Sequence, residues 1–203
     1  GHYVWDAARL KKTCPRLKQA YSERLPKTAA VQKDGVLVHK GAVGQAAQAG
    51  LGAGGPGITV ANKAAAIYAN YLESKEKPKL DLFLQVAQQA EAQQAADPKN
   101  ANAWYWQAYA LGRYGQGISV SKALAQGLGG KVKAALEQTI KLAPKHADAH
   151  IALGAFHAAA YDKAGPLNGS MPYGVKKDTS LALLKEALTL NPGPVIGMLD
   201  IAH

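Results

Sequence analysis

Apolar and polar residues alternate along this chain mostly with the period of a helix. Tyr3, Ala7, Leu10, Cys14, Leu17 and Tyr21 fall on alternating steps of four and three, forming one apolar stripe. Pro15 interrupts it. Because proline is tolerated at the first helical position, the stripe predicts two short helices, 3–12 and 15–25, with Thr13 or Cys14 capping the second and Pro26 stopping it. Val36-Leu37-Val38 reads as a short extended piece. GAVGQAAQAGLGAGGPG, residues 41–57, reads as a turn-rich connector. The helical period then returns over 58–76, 79–96, 101–112, 131–143, 147–161 and 178–190, with Asn100 or Asn102 as candidate cap of the third. The pattern predicts an all-α protein.

Two stretches share their punctuation. Residues 96–111 read ADPKNANAWYWQAYAL, and residues 143–157 read APKHADAHIALGAFH. The prolines that end helices, Pro98, Pro144 and Pro192, are spaced by 46 (98 to 144) and 48 (144 to 192) residues. A near-constant period of this size signals stacked helical hairpins, since one hairpin cannot bury both of its faces alone.

On these residues the chain resembles the tetratricopeptide repeat (TPR) family. After Pro98, Trp104 takes the bulky position, Ala108 the small one and Leu111 the next, with Leu136 and Ile140 preceding Pro144. After Pro144, Leu153-Gly154 matches the Leu-Gly pair, and Leu184, Ala187 and Leu188 precede Pro192. The family unit is about 34 residues, so each repeat here carries about a dozen more. The excess falls between paired helices, at 113–130 and 162–178. Gly129, Lys133, Leu136, Glu137, Pro144, Ala147, Ala149, Leu153 and Gly154 form a string similar to two insertion-bearing groups. These are the periplasmic component of tripartite ATP-independent (TRAP) transporters and the regulator of microtubule dynamics proteins. The resemblance implies TPR-like stacked antiparallel helical hairpins, an α-solenoid, over residues 58–203. Residues 1–57 form a basic helical N-terminal extension with the Gly-rich connector.

Charge and chemistry narrow the function. The net charge is +10. Residues 1–40 hold Arg9, Lys11, Lys12, Arg16, Lys18, Arg24, Lys27, Lys33 and Lys40 against Asp6, Glu23 and Asp34. This region reads as the solvated face of an amphipathic segment; a basic surface for an acidic partner is the sharper alternative. The aromatic cluster lies far from it in sequence and no RNA-binding pattern is present, so nucleic acid is not expected. No apolar run reaches the about 20 residues of a membrane span. One cysteine excludes an internal disulfide; Cys14 reads as packed on its stripe, although Lys11, Lys12 and Arg16 would favour its thiolate.

Gly52, Gly54 and Gly57 match G-x-G-x-x-G, but no strand directly precedes them and Pro56 removes an N–H donor, so no nucleotide is expected. GLGGKV, 127–132, lacks the leading glycine and the Ser/Thr of a P-loop. No nucleophile elbow, zinc-protease motif or acid/base pair is present. His146, His150 and His157 raise a metal reading, but His146 precedes its helix and the other two take core positions of the repeat, so packing is expected. The expectation is a non-enzyme with no cofactor and no metal.

The richest cluster is Trp104, Tyr105, Trp106, Tyr109 and Tyr114. Helical spacing puts Trp104 and Leu111 on the buried stripe, with Tyr105 and Tyr109 on a neighbouring face. In the resembled family the first helix of each hairpin lines a groove that binds peptides. The resemblance therefore implies a binding site at Asn102, Tyr105, Tyr109 and Arg113, with aromatic and Arg anchors. Lys and Asn of a carboxylate clamp are replaced here by tyrosines, so that activity is not expected. The reading is a scaffold for a protein or peptide partner. The transporter-associated resemblance implies a periplasmic, homo-oligomeric component working with a solute-binding protein; the Ala/Lys/Gln-rich composition leans bacterial, and a cytoplasmic location is the alternative. The second functional reading is a small-ligand binder with a pocket between hairpins. Residues 195–203, VIGMLDIAH, read as a further helix, either cut short or capping the last hairpin.

Overall fold

A computed structural model describes residues 49–52, 55–164, 174 and 176–190. The predicted helices at 3–12 and 15–25, the Val36–Val38 piece, Cys14, Pro192 and residues 195–203 lie outside the described residues. Every regular element among the described residues is helical. The main ones are α1 (Pro56–Tyr71), α2 (Glu76–Ala96), α3 (Ala101–Gln116), α4 (Val120–Ala125), α5 (Leu128–Leu142), α6 (Ala147–Ala164) and α7 (Lys177–Leu190).

Each long helix packs on the next: α1 on α2, α2 on α3, α3 on α5, α5 on α6 and α6 on α7. α1 also touches α3, and the short α4 leans on α5. The core joins Phe83, Val86, Trp106, Leu111, Leu128, Leu136 and Leu153. Alanines make the close helix crossings: Ala64, Ala66 and Ala69 of α1 are fully buried, as are Ala90 and Ala110.

The stretch read as a turn-rich connector is helical at 49–52 and enters α1 at Pro56. Gly50 lies against α1, where a β-carbon would come within 2.5 Å of the Gly57 carbonyl oxygen and 2.9 Å of the Ala61 nitrogen. Gly57, the last glycine of the G-x-G-x-x-G match, is inside α1.

Helix ends also differ from those the sequence predicts: α1 stops at Tyr71, short of 76, while others run further. α3 continues to Gln116 and α5 starts at Leu128, so the first insertion shrinks to 117–127 and contains α4. The reason is packing. Tyr114 and Leu128 are buried, and helical Gly115 faces the Leu128 side chain. Tertiary contact thus carries a polar, Gly-containing stretch as helix.

The α2–α3 and α5–α6 turns have one design, displaced by the proline period. Asp97 and Ala143 close their helices at φ −141°, ψ 85° and φ −138°, ψ 79°. Each precedes a proline, whose ring disfavours the α conformation in the residue before it. Asp97 N–H donates to Gln93 O and Ala143 N–H to Thr139 O, both at 2.8 Å. Asn100 N–H then donates to Asp97 O (3.1 Å), and His146 N–H to Ala143 O (2.9 Å).

Candidate functional site

The turn design sets up the predicted site. Asn100 Oδ1 caps α3 by accepting from Asn102 N–H and Ala103 N–H. The cap is therefore Asn100, and the Asn102 side chain turns inward. His146 holds the equivalent position before α6, and its Nδ1 accepts from Ala149 N–H at 3.2 Å. An imidazole thus does at α6 what an amide does at α3.

From this start, α3 carries Asn102, Tyr105, Tyr109 and Arg113 along one face, at spacings of three, four and four. The structure keeps the row together but covers one end. Asn102 and Tyr105 are buried, with Tyr105 only 6% exposed, while Tyr109 and Arg113 are partly exposed. Tyr105 and Asn102 do not line an open surface, as the resemblance implied. Tyr105 packs against the His146 ring (centroids 4.7 Å apart) and edge-on to Trp106 (5.1 Å). Trp106 meets Tyr109 edge-on at 5.4 Å. The Arg113 guanidinium lies 5.4 Å from the Tyr109 ring centre and donates to Gln116 Oε1. The accessible part of the row is an aromatic ring with a cation above it.

Trp104 departs from its predicted stripe. It is only partly buried, and its Nε1–H donates to Pro98 O at 3.0 Å, tying helix to turn. Its place inside is taken by Trp106 and Tyr105.

The three histidines are buried and committed to backbone. His150 Nδ1 lies 3.0 Å from His146 O, which fixes it as a donor. His157 Nδ1 accepts from Lys176 N–H, which leads into α7, at 3.3 Å. Burial holds His146 down to a pKa of about 4. His157 is also lowered, first by burial and then by Lys133, with Glu137 opposing. Both rings are neutral near pH 7, as an accepting Nδ1 requires. Among the described residues no group of three His, Cys, Asp or Glu is placed to hold a metal ion.

A second polar cluster, with no counterpart among the sequence-predicted sites, lies between α1 and α2. Gln93 Nε2–H donates to Thr59 Oγ1 (3.0 Å) and Gly55 O (3.4 Å). Asn62 is fully buried on α1, and neither its Nδ2 nor its Oδ1 has a protein partner. The sequence signal for it is weak: an Asn at i+3 from Thr59 in an Ala-rich helix.

No protein-family model matches this chain, and no curated protein matches it. Among the described residues no helix is long and apolar enough to cross a membrane.

Proposed function

We propose that this protein is a non-enzymatic, TPR-like scaffold that binds a protein or peptide segment at the Tyr109–Arg113 end of α3. The observation that carries the reading is the α3 row itself. Its inner half, Asn102 and Tyr105, is packed, and its outer half presents an aromatic ring and a guanidinium from a rigid helix. Tyr and Arg, with Trp, are the side chains most enriched among binding anchors, since each combines contact area with hydrogen-bonding groups. The turns repeated at the proline period support stacked hairpins. The transporter-associated resemblance makes a solute-binding protein the first partner class to try. Affinity capture with wild type and a Tyr109→Ala/Arg113→Ala variant tests the reading: a specific partner is kept by wild type and lost by the variant, with the variant still cooperatively folded at the temperature of the assay.

A second reading, a small-ligand binder, is favoured by Asn62 on α1 and the unpaired Gln93 Oε1 on α2, both buried polar groups. Native mass spectrometry of the purified chain tests it: a bound small molecule that Asn62→Leu abolishes supports it.

A further inference from the structure

We propose that His146 and His157 are acid-sensitive latches, which hold the α6–α7 hairpin in place at neutral pH and loosen it when their rings take up protons. One ring sits just before α6 and the other just past its middle. His146 occupies the turn from α5, and its Nδ1 accepts the Ala149 N–H that begins α6. His157, about three turns further along, accepts the Lys176 N–H and so ties the approach to α7 back onto α6. One latch thus caps the start of α6, and the other ties α6 to the start of α7.

In both cases the partner is a backbone N–H, which cannot turn around to become an acceptor. A proton arriving from solvent at Nδ1 sets N–H against N–H and breaks the contact. Burial opposes the cation at both rings and outweighs the opposite pull of the His146 backbone and of Glu137. His146 faces Tyr105 from α3 and His150 from its own helix, with Asp148 two residues on in the first turn of α6, and the His150 ring opposes a charge on it. His157 faces Lys133 and Glu137 from α5 and the Lys176 backbone. The Glu137 carboxylate is itself held by Lys133 at 2.6 Å. In mildly acid solution a proton is therefore taken up more readily by a ring that has left its site.

Asn100 sharpens the point. It caps α3 at the equivalent position with an amide that does not titrate. Capping alone needs no histidine; what the ring adds at 146 is sensitivity to pH in the range where endosome-like or acid-stressed compartments differ from neutral ones. The inference does not depend on what binds at α3.

The test uses the full chain as wild type, His146→Asn, His157→Asn and the double variant, with thermal midpoints read from pH 7.5 to 4.5. The wild-type midpoint falls by about 5 °C or more between pH 7 and 5. Each Asn variant flattens that slope, and the double variant flattens it most. Hydrogen exchange at pH 5, corrected for intrinsic rates, shows α6 and α7 losing protection before α2 and α3. An unchanged acid slope in the double variant, or uniform loss of protection, overturns the proposal. If a variant does not fold, the wild-type ring Cε1–H signals are titrated by NMR. Apparent pKa values below 6 for both rings uphold the latches, and values of 6 or above for either ring overturn them.

Discussion

Ser180 Oγ donates to Gly154 O at 2.8 Å, at the place where α6 and α7 come closest. A β-carbon on Gly154 would stand 3.0 Å from Leu184 Cγ and 3.3 Å from Ser180 O, so glycine leaves room there for the Leu184 side chain. The Leu-Gly pair that matched the repeat pattern thus has a physical role. Gly154→Ala asks the partly exposed Leu184 side chain to shift by a few tenths of an ångström, which the better helix propensity of alanine offsets, so stability changes by less than about 1 kcal/mol. Ser180→Ala costs about 1 kcal/mol through the lost hydrogen bond. Chemical denaturation of both variants checks the order; a Gly154→Ala loss above about 2 kcal/mol would show that Leu184 cannot move aside.

Capping gives the next expectation. Asn100→Ala removes the acceptor for two N–H groups at the start of α3 and costs about 1 kcal/mol. Asn100→Asp keeps the acceptor and stays near wild type. The pair is read by thermal unfolding.

The row on α3 divides into structural and accessible residues. Tyr105→Ala opens a cavity against His146 and Trp106 and costs about 3–5 kcal/mol. Tyr109→Ala costs less than about 2 kcal/mol, because its ring is only partly buried. Urea midpoints separate the two. A binding test that truncates Tyr105 therefore mixes unfolding with lost contact, and Tyr109 with Arg113 is the informative pair.

Acid lowers stability through the histidines. His146 is held near 4 in the folded chain against 6.5 unfolded, so its contribution is complete above about pH 6.5 and is lost as pH falls toward 4. The full shift corresponds to about 3 kcal/mol. His157 is lowered in the same direction and adds to the same slope. Denaturant titrations at pH 7.5, 6 and 4.5 measure it, and a flat profile contradicts the burial argument.

Asn62 supplies a contrast between the two functional readings. Under the scaffold reading, Asn62→Leu replaces a buried amide without a protein partner by an apolar group of similar size and raises the melting midpoint. Under the ligand reading, the same change lowers it.

What the sequence made legible is the punctuation. Pro98 and Pro144 end α2 and α5 for a reason that lies within a few residues, the steric demand of proline on Asp97 and Ala143, and such local causes can be read from a string. Helix ends that depend on distant partners were not legible. Arg113-Tyr114-Gly115-Gln116 reads as a loop until Tyr114 and Leu128 are seen to pack. The exchange of Trp104 for Tyr105 at the core has the same origin. Both faces of α3 are covered, one by α2 and one by α5, so periodicity alone does not rank them. His146 as a cap was hidden by residue type, since histidine is not a favoured cap; its alignment with Asn100 at the proline period is the signal that marks it.

The most direct test of the central claim places a photoreactive benzoyl-phenylalanine at position 109 and, as control, at exposed Leu188 on α7. Both proteins are irradiated in extract of the native organism. The account predicts one crosslinked protein from position 109, diminished by Arg113→Ala and missing from position 188. Equal crosslinking from both positions, or none from 109, contradicts it.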